Sequence, residues 1–121
     1  MTASSLVQRY IDTWNETDPT ARRSTIASTW ADDARYLDPL ANVSGHDEIS
    51  ELIGTVQSQV PGHVFRLRDD SVDAHHNVVR FSWELVPATG GEPLAIGFDV
   101  VTEDAGRIGS VIGFLDKAPG A

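Results

Sequence analysis

Ala31-Asp32-Asp33-Ala34-Arg35-Tyr36-Leu37-Asp38-Pro39 joins a helical pattern to an extended one and leaves a carboxylate at the joint. In an extended segment Tyr36 and Asp38 point to one face and Leu37 to the other, because side chains alternate along a strand. Pro39 biases Asp38 towards β or polyproline II geometry and ends the segment. Asp38-Pro39 therefore has two readings: a surface turn, since both residue types favour turns, or a carboxylate placed at the mouth of a site.

Upstream of this joint the periodicity is helical. Leu6, Val7, Tyr10, Ile11 and Trp14 form one face of a helix over Ser4 to Glu16, with Tyr10 and Trp14 one turn apart. Asp18-Pro19 supplies an N-cap followed by proline at the first helical position, which predicts a second helix through Ile26 and Trp30 to about Ala31. After a loop at Asn42 to Gly45, Ser44 and Asp47 have the spacing of a capping box. A third helix carries Ile49, Leu52, Ile53, Val56 and Val60 on one stripe, and Pro61-Gly62 stops it.

Beyond Gly62 the period changes to two. Strands are predicted over Val64 to Leu67, Ser71 to Ala74, Val78 to Val86, Leu94 to Thr102 and Arg107 to Leu115. Hairpin turns fall at His76-Asn77, Thr89-Gly90-Gly91 and Asp104-Ala105-Gly106. Helices first and a strand meander afterwards is an α+β order, with the helices on one face of an antiparallel sheet. Val79, Phe81, Trp83 and Leu85 share the inward face of one strand. The next strand is apolar on both faces, Leu94, Ile96, Phe98 and Val100 against Ala95, Gly97, Asp99 and Val101, so the outer face calls for a second cover, most simply another copy of the chain. Asp99 is then buried on either assignment. Burying a carboxylate is costly, so Asp99 calls for an explanation, and a structural pair with Arg80 or Arg107 is one.

The chain has 121 residues, the size of one domain. One domain is expected over residues 1–117, with a flexible tail at 118–121. A net charge of −9 argues against nucleic acid or an anionic membrane as partner. Cysteine is absent, which excludes disulfides, thiolate zinc sites and cysteine nucleophiles. No basic-then-apolar leader and no apolar run of bilayer length occur, so a soluble cytoplasmic protein is the expectation. His75 and His76 are adjacent and point to opposite faces of a strand, so they read as a solvated turn and no metal site is expected. His46 opens a helix and reads as exposed. No glycine-rich phosphate loop leads into a helix, and no cofactor is expected.

Three helices, an Asp-Pro joint and a curved antiparallel meander resemble the nuclear transport factor 2-like, or cystatin-like, superfamily. That resemblance implies an α+β cone, three N-terminal helices packed on a strongly curved antiparallel sheet, with an apolar cavity between the layers; the doubly apolar strand adds the expectation of a homodimer through the outer sheet face. Arg9-Tyr10-Ile11, Ala31-Asp32-Asp33-Ala34 through Asp38-Pro39, and Asp99-Val100 before Gly106-Arg107-Ile108 are similar to ketosteroid isomerases in order and approximate spacing. By that resemblance Asp38 matches the general base, Tyr10 the oxyanion-donating tyrosine and Asp99 the protonated carboxylic acid. Similarity to the limonene epoxide hydrolases of the same superfamily implies a third reading, Asp99 activating water beside an arginine. Asp38-Pro39, His63, Trp83 and Gly113-Phe114-Leu115-Asp116 resemble the SnoaL-like group equally. The acid of that group's polyketide cyclases falls near Gly113, which cannot act as one.

The implied activity is proton transfer next to a carbonyl, isomerase- or cyclase-like, on a small apolar polycyclic or aromatic substrate. Trp14, Tyr36, Ile53, Val56, Phe65, Phe81, Trp83 and Phe114 are the expected cavity walls, with His63 near the mouth as a further contact. The alternative is a noncatalytic ligand-binding or protein-interaction module, the role of nuclear transport factor 2 itself.

Overall fold

The computed structural model describes residues 2–118; of the expected tail, residues 119–121 lie outside them. Helix α1 spans Ala3–Asn15 and is capped by the Thr2 hydroxyl, which accepts from the Ser5 amide. Its apolar stripe is buried as the periodicity requires: Leu6, Val7, Tyr10, Ile11 and Trp14 all face the sheet. Helix α2, Pro19–Thr29, starts where Asp18-Pro19 predicts, with the Asp18 carboxylate accepting from the Ala21 amide.

The helix ends two residues earlier than expected. Trp30 takes an extended conformation (φ −107°, ψ 141°) and opens strand β1, Trp30–Asp38. Ile26 and Trp30 are four apart, so the tryptophan continues the helical stripe in sequence although it belongs to the strand. The Asn42 to Gly45 loop is likewise a strand, β2, Ala41–Ser44, paired antiparallel to β1. Helix α3, His46–Gln59, has Gly45 at its N-cap with no side-chain cap, in place of the expected capping box. Instead the Ser44 amide donates to Glu48 Oε1 at 2.9 Å, and His46 Nε2 lies 3.0 Å from the Trp30 and Ala31 carbonyls. His46 is therefore half-buried and ties α3 to the start of β1, not exposed as expected.

Five strands follow: β3 (His63–Leu67), β4 (Asp73–His75), β5 (Val78–Pro87), β6 (Ala95–Asp104) and β7 (Arg107–Lys117). The first part of the expected Ser71 to Ala74 strand is a short 3-10 turn over Asp69–Ser71. Sheet order is β2-β1-β7-β6-β5-β3, with β4 also paired to β5. One pairing corrects the antiparallel expectation: β1 and β7 run parallel, so the sheet is mixed. Parallel neighbours need a crossover, and everything from β2 to β6 supplies it. Irregular register between Trp30 and Arg35, between Ile96 and Gly97, and between Thr102 and Glu103 bends these strands, as extra unpaired residues do. The sheet curves around the helices without closing.

The core lies between the helices and the concave face, centred on fully buried Trp30, Phe81, Ile26, Ile49, Ile53 and Ile108. Arg22 is buried between α2 and α3 with no acidic partner among the described residues; its Nη1 donates to the Glu16 carbonyl and to Gln57 Oε1. Gln57 Nε2 returns to the Trp14 and Glu16 carbonyls, so one polar cluster fixes where α1 ends against α3. Asn15 does the same for β3, exchanging two 2.8 Å hydrogen bonds with the Phe65 backbone. No helix among the described residues is long and apolar enough to cross a membrane.

Gly97 shows how tightly the concave face is packed. A Cβ there would lie 2.0 Å from Cζ2 of Trp83, whose indole rests flat on the β6 backbone. Gly97→Ala should therefore cost about 1–3 kcal/mol by overpacking. Thermal denaturation of Gly97→Ala, Trp83→Ala and the double variant checks the cause, because in the double variant most of the alanine penalty should vanish. Simple additivity would show that Trp83 is not the clashing group.

Candidate active site

A cavity of about 160 Å³ opens between α1, the end of α3 and the concave strands. Its walls are aromatic and aliphatic: Trp14, Tyr36, Val56, Phe65 and Trp83, as expected, joined by Ile11, Leu85 and Leu115. The rings touch in series, Tyr36 to Trp14 to Phe65 to Trp83, with centroids 5.3–5.5 Å apart and tilted or edge-on geometry. Each ring therefore braces the next, and the Asn15 clamp on the Phe65 backbone anchors the series to α1.

Four expected contacts lie elsewhere. Ile53 and Phe81 are fully buried in the core, Phe81 packed edge-on against Tyr10, and neither lines the cavity. Phe114 is 52% exposed on the convex face beside Phe98, because the inward positions of β7 are Val111, Gly113 and Leu115. Leu115 is the wall residue there. His63 also stands outside the lining, its Nδ1 3.1 Å from the Pro61 carbonyl. The lip includes Leu40, Gln59 and Val60, which the sequence reading passed over. The downstream position of Leu40 after the Asp-Pro turn was the available signal.

The polar groups gather at one end. Tyr10 reaches across from α1, and its hydroxyl donates to Asp99 Oδ2 at 2.7 Å. Two residues before Asp38 on the same face of β1, the Tyr36 hydroxyl donates to Asp38 Oδ2 at 2.6 Å. The other Asp38 oxygen accepts the Leu40 amide at 2.8 Å, so Asp38 is a turn residue and a cavity residue at once. Gly113 separates the two carboxylates: a Cβ there would stand 2.7 Å from Asp99 Oδ1 and 3.4 Å from Asp38 Cβ. The glycine is what allows them to face each other.

Asp99 is only 2% exposed, yet the ion pairs of Arg80 and Arg107 go to Asp73 and Asp32. Among the described residues no salt bridge reaches Asp99, which removes the structural-pair reading and the arginine-assisted water reading together. Burial pushes its carboxyl up to about 6, against the hydrogen bonds from Tyr10 and Trp83 that favour the charged form, with the Asp38 charge adding to the rise. Burial also raises Tyr10 and Tyr36 well above the usual phenol value, helped for both by the Asp99 charge. Both phenols are donors at neutral pH. Lining residues include no lysine, arginine or histidine, so the only formal charge in the wall is that of Asp38.

The chain as a whole is similar to known proteins. A family model described as a SnoaL-like domain matches residues 7–111. A SnoaL-like family protein from Agrobacterium tumefaciens, described as a candidate isomerase, is 39% identical, with 93% of this chain and 95% of that chain covered and a TM-score of 0.86. A candidate ketosteroid isomerase from Kribbella flavida is 20% identical over 97% of this chain and 79% of that one (TM-score 0.70). A candidate polyketide cyclase from Sinorhizobium meliloti is 16% identical over 90% and 93% (TM-score 0.70), so these two share the fold alone. No curated protein matches the chain. With a matching model that spans most of its length and a relative this similar throughout, the chain belongs to the SnoaL-like domain family.

Proposed function

We propose that this protein is an enzyme that moves a proton next to a carbonyl, in an isomerase- or cyclase-like reaction on a small apolar ketone held in the cavity. The observation that carries this reading is the pair of carboxylates on either side of Gly113, one at the cavity wall and one buried without a cation. Family membership supports it. Asp38 takes the proton from the carbon next to the carbonyl; the electron pair of that C–H bond moves towards the oxygen as an enolate, and the proton is returned to a different carbon. Tyr10 and the neutral form of Asp99 donate hydrogen bonds to the enolate oxygen. Tyr10 donates its hydroxyl proton to Asp99; protonating Asp99 releases that phenol for the substrate. A developing negative charge nearby favours the protonated form further.

A second reading, a noncatalytic binding module, draws support from Asp38 itself, because both of its oxygens already serve the β1 turn. Assays on a panel of β,γ-unsaturated ketones separate the two. Asp38→Asn should lower kcat/KM by about 10²–10⁴-fold, the usual worth of a positioned base. An unchanged rate together with a lowered melting temperature would leave Asp38 as a turn residue.

Asp99 gives an independent test through pH. With its folded-state pKa raised to about 6 from 3.8, the folded protein holds the proton more tightly than the unfolded chain does. Stability attributable to Asp99 is thus complete below pH 3.8, falls as pH rises to about 6, and is level beyond. Two pKa units correspond to a loss on the order of 3 kcal/mol. Asp99→Asn should therefore be neutral or stabilising at pH 7 and should flatten this limb in chemical denaturation; the same substitution should remove a decline of kcat/KM above about pH 6. A strongly destabilised Asn variant at pH 7 would assign Asp99 a structural role.

The convex face supports a homodimer. Ile96, Phe98 and Val100 are half-buried there, and Ile112 and Phe114 are 44% and 52% exposed. A second copy placing the same face against this one would cover them. Sedimentation should give a dimer at micromolar concentration that Phe114→Lys converts to monomer; a wild-type monomer would overturn the assignment.

A further inference from the structure

Three side chains of the cavity wall, Asp38, Phe65 and Trp83, are only half-buried and can meet a ligand directly. Trp14 and Tyr36 stand behind them, nearly covered. The Trp83 indole lies on β6, where a Cβ on Gly97 would stand 2.0, 2.1 and 2.6 Å from Cζ2, Cε2 and Nε1. One face of the indole is therefore closed by backbone, and the other is turned away from the sheet towards the cavity that the residue lines. Phe65 stands at 73° to it with 5.3 Å between centroids, so the two rings make a corner.

Such a wall attracts positive charge. The face of an aromatic ring is the negative part of its quadrupole, and tryptophan binds cations best among the ring types. The Trp83 N–H is hydrogen-bonded to Asp99, which polarises the indole further in the same sense. Asp38 adds a full negative charge, and no lysine, arginine or histidine lines the cavity to offset it. The net charge of −9 favours entry of a cation at longer range.

The same geometry selects the kind of cation. Asp38 Oδ2 already accepts the Tyr36 hydroxyl at 2.6 Å and Oδ1 the Leu40 amide at 2.8 Å, so the carboxylate offers its charge more readily than a free acceptor. The remaining wall beside Phe65 and Trp83 is apolar, formed by Leu85, Ala95 and Leu115. A primary ammonium would bring N–H groups that this surface leaves unsatisfied. A quaternary ammonium has none, and its charge is spread over alkyl groups that fill apolar space.

We infer that the cavity binds an organic cation with a quaternary ammonium group, its methyl groups in the corner of Trp83 and Phe65 and its charge balanced by Asp38. This goes beyond the ketone reading and does not rest on it. A cation seated there occupies the space a ketone needs, so the two kinds of ligand compete.

Titration calorimetry on the intact protein with choline, its uncharged isostere 3,3-dimethylbutan-1-ol, and ethanolamine tests the charge and the N–H groups in turn. Choline should bind saturably and about tenfold more tightly than the isostere, the worth of a largely desolvated cation–ring contact. Ethanolamine should bind more weakly than choline. Asp38→Asn and Trp83→Leu should each shrink the preference for choline over the isostere. Should either variant fail to fold, the three ligands on the wild-type protein still decide the class of ligand. Equal or tighter binding of 3,3-dimethylbutan-1-ol, tighter binding of ethanolamine, or no saturation by choline would overturn the inference. An undiminished preference in both variants would overturn the placement of the cation at Asp38 and Trp83. Choline binding as expected with no turnover of any ketone would overturn the catalytic proposal alone. Ketone turnover that Asp38→Asn abolishes, with no choline bound, would overturn this inference and leave catalysis standing.

Discussion

Asp99 is held inside the molecule by a phenol 89 residues earlier in the chain, and much of the structure depends on that 2.7 Å hydrogen bond. A carboxylate in the middle of a strand needs either a cation or a donor that survives burial. Tyr10 is such a donor, and its ring also packs against Trp30 and Phe81, so one residue joins the polar end of the cavity to the core. Moving α1 by a fraction of a turn would break the bond and the packing together. The register of the first helix on the sheet is thereby set by chemistry as well as by shape.

Around this bond the site is assembled from small omissions. Gly113 lets two carboxylates approach, and Gly97 lets an indole lie on a strand. Neither glycine has a turn role; each marks a place where a side chain has been left out so that another can enter. The same logic explains why an acidic residue at position 113 would be incompatible with this arrangement: it would occupy the space that Asp99 and Asp38 share. In this chain the two carboxylates stand on β6 and β1, with the intervening strand left bare between them.

Much of this was legible. The 3.6 period of α1 placed Tyr10 and Trp14 on one face, the i, i+2 relation put Tyr36 beside Asp38, and strand alternation brought Trp83 inward and buried Asp99. What failed to read has physical causes. Trp30 satisfies a helical stripe and a strand equally well, so local pattern could not locate the change. The parallel pairing of β1 with β7 joins segments with no local signal of each other. β7 carries large apolar residues on both faces, Phe114 outward and Leu115 towards the cavity, so size favoured the wrong one. His46 gave no sign of its carbonyl partners, which belong to a strand that sequence reading had made part of a helix.

The parallel pairing of β1 with β7 also bears on the order in which the protein can be made. Arg107 Nη1 donates to the Trp30 carbonyl, 77 residues distant, and Tyr36 pairs in register with Val111. β1, which carries Asp38, thus has only the short β2 for a sheet partner until β7 has been made. Contacts this distant in sequence slow folding, because the entropy of closing a long loop is lost before the pairing compensates for it. During synthesis the helices and the β3–β6 meander can form around an incomplete floor, with the apolar interior exposed along one edge. Pairing of β7 with β1 and β6 closes that edge and brings Asp38 and Asp99 to either side of Gly113, so cavity and carboxylate pair share one long-range requirement.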